Sequence, residues 1–225
     1  MRRLVVAAVA VCISVSASSV RAADVAPGFG ASLRLAYGVP VGKLTDASGD
    51  DVNKMVSGSL PIQLDLGYRF NPNFSAAIFG QYAFGFVASG SNSIGQACSV
   101  SGVNCSTSDI RFGAEVFYHA LPGQKYDPWV GLGMGYEWGK LTGESGGVSA
   151  DFKIRGFEFL NVQAGLDFAA PAGFGFGPFV QFTMGQYSTT EAPTGTAGSS
   201  TVTSDITNKA LHSWIQFGMR GTFNL

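Results

Sequence analysis

The sequence predicts an all-β fold, an eight-stranded antiparallel up-and-down barrel that crosses a bilayer. Three observations predict it. Segments in which apolar residues alternate with small or polar ones recur eight times, and a period of two gives each set its own face of a strand. Only 13% of the residues are charged, about half the share of a water-soluble domain, yet beyond the N-terminus no stretch is apolar enough for a membrane helix. The connections between segments alternate between short and long, the habit of a barrel with turns on one side of a membrane and loops on the other.

The first element is an export signal over residues 1–22. Arg2 and Arg3 form its charged start, residues 4–15 its apolar stretch, and Val20-Arg21-Ala22 the cleavage site. Cys12 lies within the apolar stretch and leaves with it. Residues 23–225 then form one barrel domain, with Ala23 as the first mature residue. Losing Arg2, Arg3 and Arg21 leaves 11 basic against 15 acidic residues, net −4, which excludes a nucleic-acid partner.

The first strand runs 29–39, with Leu33, Leu35 and Tyr37 on one face and Ser32 and Arg34 on the other. The second, 60–70, sets Ile62, Leu64 and Leu66 against Gln63, Asp65 and Arg69. The third, 74–87, sets Ile78, Tyr82 and Phe84 against Phe79 and Gln81. In the fourth, 109–120, Ile110, Phe112 and Val116 oppose Asp109, Arg111, Glu115 and His119. The fifth, 129–140, places Val130, Leu132 and Met134 opposite Gly131, Gly133, Gly135 and Glu137. Leu160, Val162, Ala164 and Leu166 oppose Asn161, Gln163 and Asp167 in the sixth, 156–168. The seventh, 176–187, alternates Val180, Phe182 and Met184 with Gln181 and Thr183; Pro178 falls inside it and implies a late start or a bulge. The eighth, 211–225, ends in unbroken alternation from Ile215 to Leu225 with Arg220 on the polar face.

Short proline-bearing turns are expected at 71–73, 121–127 and 170–173, and long mobile loops at 40–59, 88–108, 141–155 and 188–210. An even strand count puts both termini on the turn side. In the second long loop, Cys98 and Cys105 form an even pair in an oxidising compartment and are read as a disulfide. Closing so small a loop is worth about 2–3 kcal/mol in the chain-entropy picture.

Charge fixes which face meets lipid. The apolar sets carry no charge across their central stretches, and a central charge in lipid costs a few kcal/mol. The polar sets therefore face the lumen, where Arg34, Asp65, Arg69, Asp109, Arg111, Glu115, Glu137, Asp167 and Arg220 are expected to pair into an ionic network. Eight strands enclose a space that side chains can fill, so the lumen is read as plugged. Glu115 and Glu137, near Arg111 and Arg34, are the expected core of the network.

Several stretches, among them Leu66-Gly67-Tyr68-Arg69-Phe70-Asn71-Pro72-Asn73, 128–136 and the closing strand, resemble the small outer-membrane β-barrel family typified by the OmpA transmembrane domain and OmpX. The resemblance covers essentially the whole mature chain and implies architecture rather than an activity. It implies a monomer in the outer membrane of a Gram-negative bacterium, in contact with outer-membrane lipid and assembled by the barrel-assembly machinery through the C-terminal strand. That strand carries its aromatic at Phe223 and ends on Leu225, where the family normally ends on an aromatic residue.

No cofactor is expected. Gly131, Gly133 and Gly135 lack the strand-to-helix setting of a nucleotide loop, and Asp46, Asp50 and Asp51 miss the calcium-loop spacing. His212 and Ser213 are adjacent in a strand and point to opposite faces, so they form no catalytic dyad. The expected role is structural or surface-interacting, with an extracellular ligand met through the loops and no catalysis. A passive conduit for small or hydrophobic solutes, as in OmpW-like barrels, is the alternative. A lipid A-modifying barrel enzyme and a soluble lipocalin-like barrel rank below it.

Overall fold

The computed structural model describes residues 25–46, 51–88, 98, 100–169, 173–194 and 200–224. The export-signal reading of 1–22 falls outside them, as do Asp50 and most of the third turn. The strands are β1 (Gly28–Gly42), β2 (Val56–Arg69), β3 (Phe74–Val87), β4 (Val103–His119), β5 (Tyr126–Ser145), β6 (Val148–Ala169), β7 (Phe174–Thr194), β8 (Ser200–Asp205) and β9 (Leu211–Asn224). Every pairing is antiparallel, and the ring closes as β1 to β7 in order, then β9, which pairs with both β7 and β1. Eight strands form the barrel. The ninth, β8, pairs among the described residues with the outer end of β7, from Thr189↔Asp205 to Thr194↔Ser200.

Two of the long connections are therefore not loose loops. Residues 141–155 continue the ladder of β5 and β6 as a hairpin that closes at Ser145↔Val148. Its turn is Gly146-Gly147, both at positive φ (58° and 79°), the backbone a two-residue hairpin needs and glycine adopts without strain. Residues 189–194 and 200–205 pair as the antiparallel ladder of β7 and β8. At the loop end, among the described residues, the wall is thus prolonged by β4 to β8. The remaining long connections hold a 3₁₀ turn, Val52–Lys54, and the disulfide between Cys98 and Cys105 (Cα–Cα 5.6 Å).

The expected late start or bulge at Pro178 is corrected by the ladders. Strand β7 begins at Phe174 and runs through Pro178. Its pairing to β6 lapses between Phe168↔Phe176 and Gly165↔Phe179 while pairing to β9 continues through Pro178↔Met219. Pro61 in β2 behaves alike: the β1 ladder skips from Leu35↔Ile62 to Gly38↔Ser59, and the β3 ladder keeps Pro61↔Ala83. A strand residue donates its N–H to one neighbour only, so a proline interrupts one ladder and spares the other. The register shifts lie elsewhere, at Ser188 in β7 opposite Arg155/Gly156, at Phe159 in β6, and between Val56 and Gly58 in β2.

The faces divide by chemistry. Leu33, Leu64, Ile78, Val116, Leu132 and Met219 stand outside with 45–65% of their surface exposed. Gln63, Gln163, Gln181 and Glu137 lie inside at 1–2%. Aromatic side chains girdle both ends of the outer wall, with Phe29–Tyr68, Phe74–Tyr118 and Phe174–Phe223 near the turns and Tyr82–Phe84 and Phe112–Trp138 near the loops. The one apolar knot deep in the lumen, among the described residues, is Phe117, Trp129 and Phe179. Inward glycines make room for it: a Cβ on Gly131 would sit 2.8 Å from Phe117, and one on Gly165 would sit 2.4 Å from Trp129.

Candidate functional site

Alternation in β1, β2, β4 and β6 aims Arg34, Asp65, Glu115 and Gln163 into the turn-side half of the lumen. The Arg34 guanidinium donates to Asp65 (Nε, 2.8 Å), to Glu115 (Nη2, 2.6 Å) and to Gln163. Gln163 in turn donates to the second Glu115 oxygen at 2.5 Å, and Asp65 also accepts from Ser32 and from Gln63 (2.7 Å). One side chain so links four strands, and charge-assisted bonds of this kind are the strong ones. The rings of Phe117, Trp129 and Phe179 face the same guanidinium at 5.4–5.9 Å. Beside it, Arg220 lies 3.7 Å over Trp129 and pairs with Asp167 at 2.5 Å, while the Trp129 indole donates to Asp167 at 3.1 Å.

The loop-side half is organised by Arg111. Its guanidinium meets Asp109 at 2.8 Å, Glu137 at 3.1 Å and Glu158 at 3.2 Å. Glu137 also accepts from Tyr187 (2.7 Å) and Trp214 (3.2 Å), and His212 Nε2 lies 2.9 Å from its other oxygen. Tyr187 and His212 stack face to face, ring centroids 3.8 Å apart. All these charged groups are buried, so each depends on its partners.

The residues named for one network fall into three places. Arg34, Asp65 and Glu115 form the Arg34 network, with Arg220 and Asp167 beside it; Arg111, Asp109 and Glu137 belong to the other. Arg69 joins neither. Half-buried at the turn-side mouth, it donates to the Pro72 carbonyl at 2.7 Å and lies 3.5 Å from His119 Nε2. His119 Nδ1 in turn meets Asp127 at 2.8 Å. Asp51, offered as a cation ligand, pairs with Lys54 at 2.7 Å, and that hydrogen bond holds its carboxyl below the ordinary carboxylate range.

Glu158 escapes the sequence reading because of the bulge. Phe159 and Leu160 count as one position against β7, so strict alternation traced back from Asn161 assigns the wrong face to Glu158. His212, Tyr187 and Trp214 follow the inward alternation of their strands, and a search for charge alone passes over them.

A cavity of about 210 Å³ opens at the turn-side mouth, touching Arg69, His119, Asp65 and Asp167. At the loop end a smaller one, about 60 Å³, lies over the Arg111 network under apolar walls.

The sequence matches the model of the outer membrane protein beta-barrel domain family over residues 6–177. The chain belongs to that family. Solved structures share the fold: OprG from Pseudomonas aeruginosa aligns with a TM-score of 0.50 at 11% identity, over 90% of this chain and 98% of that one. A major outer membrane protein from Thermus thermophilus gives 0.50 at 9% identity, over 86% and 99%. Neisserial surface protein A gives 0.45 at 14% identity, over 87% and 97%. No curated protein matches the sequence. Membership sets the chain in the outer membrane of a Gram-negative bacterium, with the short turns periplasmic and the long hairpins extracellular, as in other outer-membrane barrels.

Proposed function

We propose that this outer-membrane barrel has a structural and surface-interacting role and that its lumen is plugged by side chains. The observation that carries the reading is Arg34, tied at once to residues of β2, β4 and β6 across the barrel axis. An open pore has no use for a desolvated guanidinium at its centre, whereas a filled core needs each buried charge paired. The extracellular ends of β4 to β8 supply the interacting surface, a ladder of main-chain groups carrying Lys140, Asp151, Lys153, Arg155 and Glu191. We infer no catalysis: His212 is engaged with Glu137, and Ser213 is on the opposite face of β9. We also infer cleavage after Ala22, monomeric assembly, and recognition by the assembly machinery through β9, the strand that closes the ring.

The test is vesicle swelling. Reconstituted protein should leave the entry of glycine or arabinose at the rate of protein-free vesicles; swelling that scales with protein content refutes the plug. A solute conduit is the second reading, favoured by the apolar cavity at the extracellular mouth. Protein-dependent uptake of an apolar probe across vesicles that stay tight to arabinose would select it.

A further inference from the structure

We propose that the extracellular chamber above Arg111 is a binding site for a small organic ammonium ion, with Asp109 taking the charge and the apolar walls taking the alkyl body. The walls are Leu44, Val52, Met55, Phe152 and Ile154, and the floor includes Asp109 and Glu137. Val52, from the β1–β2 connection, is buried over the chamber.

The floor gathers more carboxyl groups than cations. Around the single guanidinium of Arg111 stand Asp109, Glu137 and Glu158. Lys140, also on the lining, is held by Asp151 at 2.9 Å, so with His212 on Glu137 one carboxyl group of the floor is left without a cation.

The surplus has an address. Asp109 is 7% exposed; one of its oxygens accepts from Arg111 Nε at 2.8 Å, and the other, Oδ2, is buried with no hydrogen-bond partner among the described residues. A buried carboxylate oxygen without a donor is costly, and Asp109 lines a chamber whose walls are mostly apolar, with Ser59, Thr107, Ser108 and Lys140 also on the lining.

An organic ammonium ion satisfies both halves of this site. An anion meets the surplus carboxylate, a neutral hydrocarbon leaves Oδ2 unpaired, and a bare metal ion leaves the apolar walls without a partner. An alkylammonium supplies N⁺–H donors at one end and methylenes at the other, and the Tyr187 and Trp214 rings beside it suit a cation. The volume of about 60 Å³ holds roughly four waters, which fits a straight-chain amine of about the same number of carbons.

The probe is n-butylammonium chloride, titrated into nanodisc-embedded protein carrying ¹⁵N-labelled tryptophan. The three indoles report separately: Trp214 lines the chamber, Trp129 lies deep in the lumen and Trp138 faces lipid. The Trp214 signal alone should shift saturably at millimolar ligand, with 1-butanol and sodium chloride at least tenfold weaker. Asp109→Asn should weaken binding tenfold or more. Ala83→Leu should abolish it by filling the chamber without touching charge, since Ala83 is buried opposite Asp109 on β3. This second variant decides the matter if Asp109→Asn fails to give three dispersed indole signals. An unmoved Trp214, equal shifts with butanol, equal shifts at Trp138, or full binding by either variant overturns the proposal and leaves water as the occupant.

Discussion

Removing the Arg34 side chain by Arg34→Met keeps much of its volume and deletes its charge. Two buried carboxylates then lose their cation: Asp65 keeps Ser32 and Gln63, and Glu115 keeps only Gln163. Breaking a buried ion pair from one side costs about 3–5 kcal/mol. Two acceptors are orphaned here, but one can take up a proton and relieve the other, so the cost should stay in that range rather than double. Arg34→Lys keeps a charge but cannot span Asp65, Glu115 and Gln163 with one planar fork; it should lose about 1.5–3 kcal/mol, the scale of a hydrogen bond to a charged group. The diagnostic variant is the triple Arg34→Met, Asp65→Leu, Glu115→Leu, which removes the charges together and should unfold later than Arg34→Met alone. Urea unfolding in phospholipid vesicles, followed by the gel shift between folded and unfolded barrel, measures all three. If Arg34→Met falls within about 0.5 kcal/mol of the parent, the level of an inconsequential surface change, the network does not hold the barrel together and the reasoning fails.

Leu64, half exposed on the lipid face, should cost about 2–4 kcal/mol when replaced by arginine if it sits near mid-membrane; the same unfolding assay reads it, and a neutral result contradicts the facing. Gly165→Val drives a side chain into the Trp129 ring and should cost at least about 1–3 kcal/mol as overpacking, with the Trp129 indole signal displaced; an unshifted signal contradicts the packing. In the extracellular hairpin, the hydrogen bond from Lys140 and then that from Thr142 hold the Asp151 carboxyl below its ordinary range. A depressed carboxylate stabilises above its unfolded pKa and loses that stabilisation as pH falls. Amide protection at 141–152 should therefore drop by a modest factor from pH 6 to pH 3, and Asp151→Asn should remove the drop. Protection that is flat in the parent, or falls equally in the variant, refutes the pairing.

The barrel was legible because alternation and the face-by-face placement of charge are local properties. Leu64 and Gln63 declare opposite faces from their neighbours alone, and lipid on one side makes the distinction sharp. Partnerships were not legible, since they depend on the stagger of the closed ring. Nothing between Arg34 and Gln163 in the sequence states that β1 and β6 meet across the lumen. The bulge at Phe159 and Leu160 costs one residue of register and hides Glu158 behind a false parity. The extracellular hairpins look like loops because, outside the membrane, neither face is selected for apolar residues: β8 is exposed at every position, so its Ser/Thr-rich sequence carries no period of two. Pro178 misled through a rule about sheet interiors that overlooks that each strand residue donates to one side only.

Single-channel recording in planar bilayers tests the plugged lumen most directly. Protein inserted at 1 M potassium chloride should give a quiet baseline, with no reproducible unitary step across a range of holding potentials. A step of constant size that recurs from insertion to insertion would mean that ions pass Arg34 and Arg111, and the plugged-barrel account would be wrong.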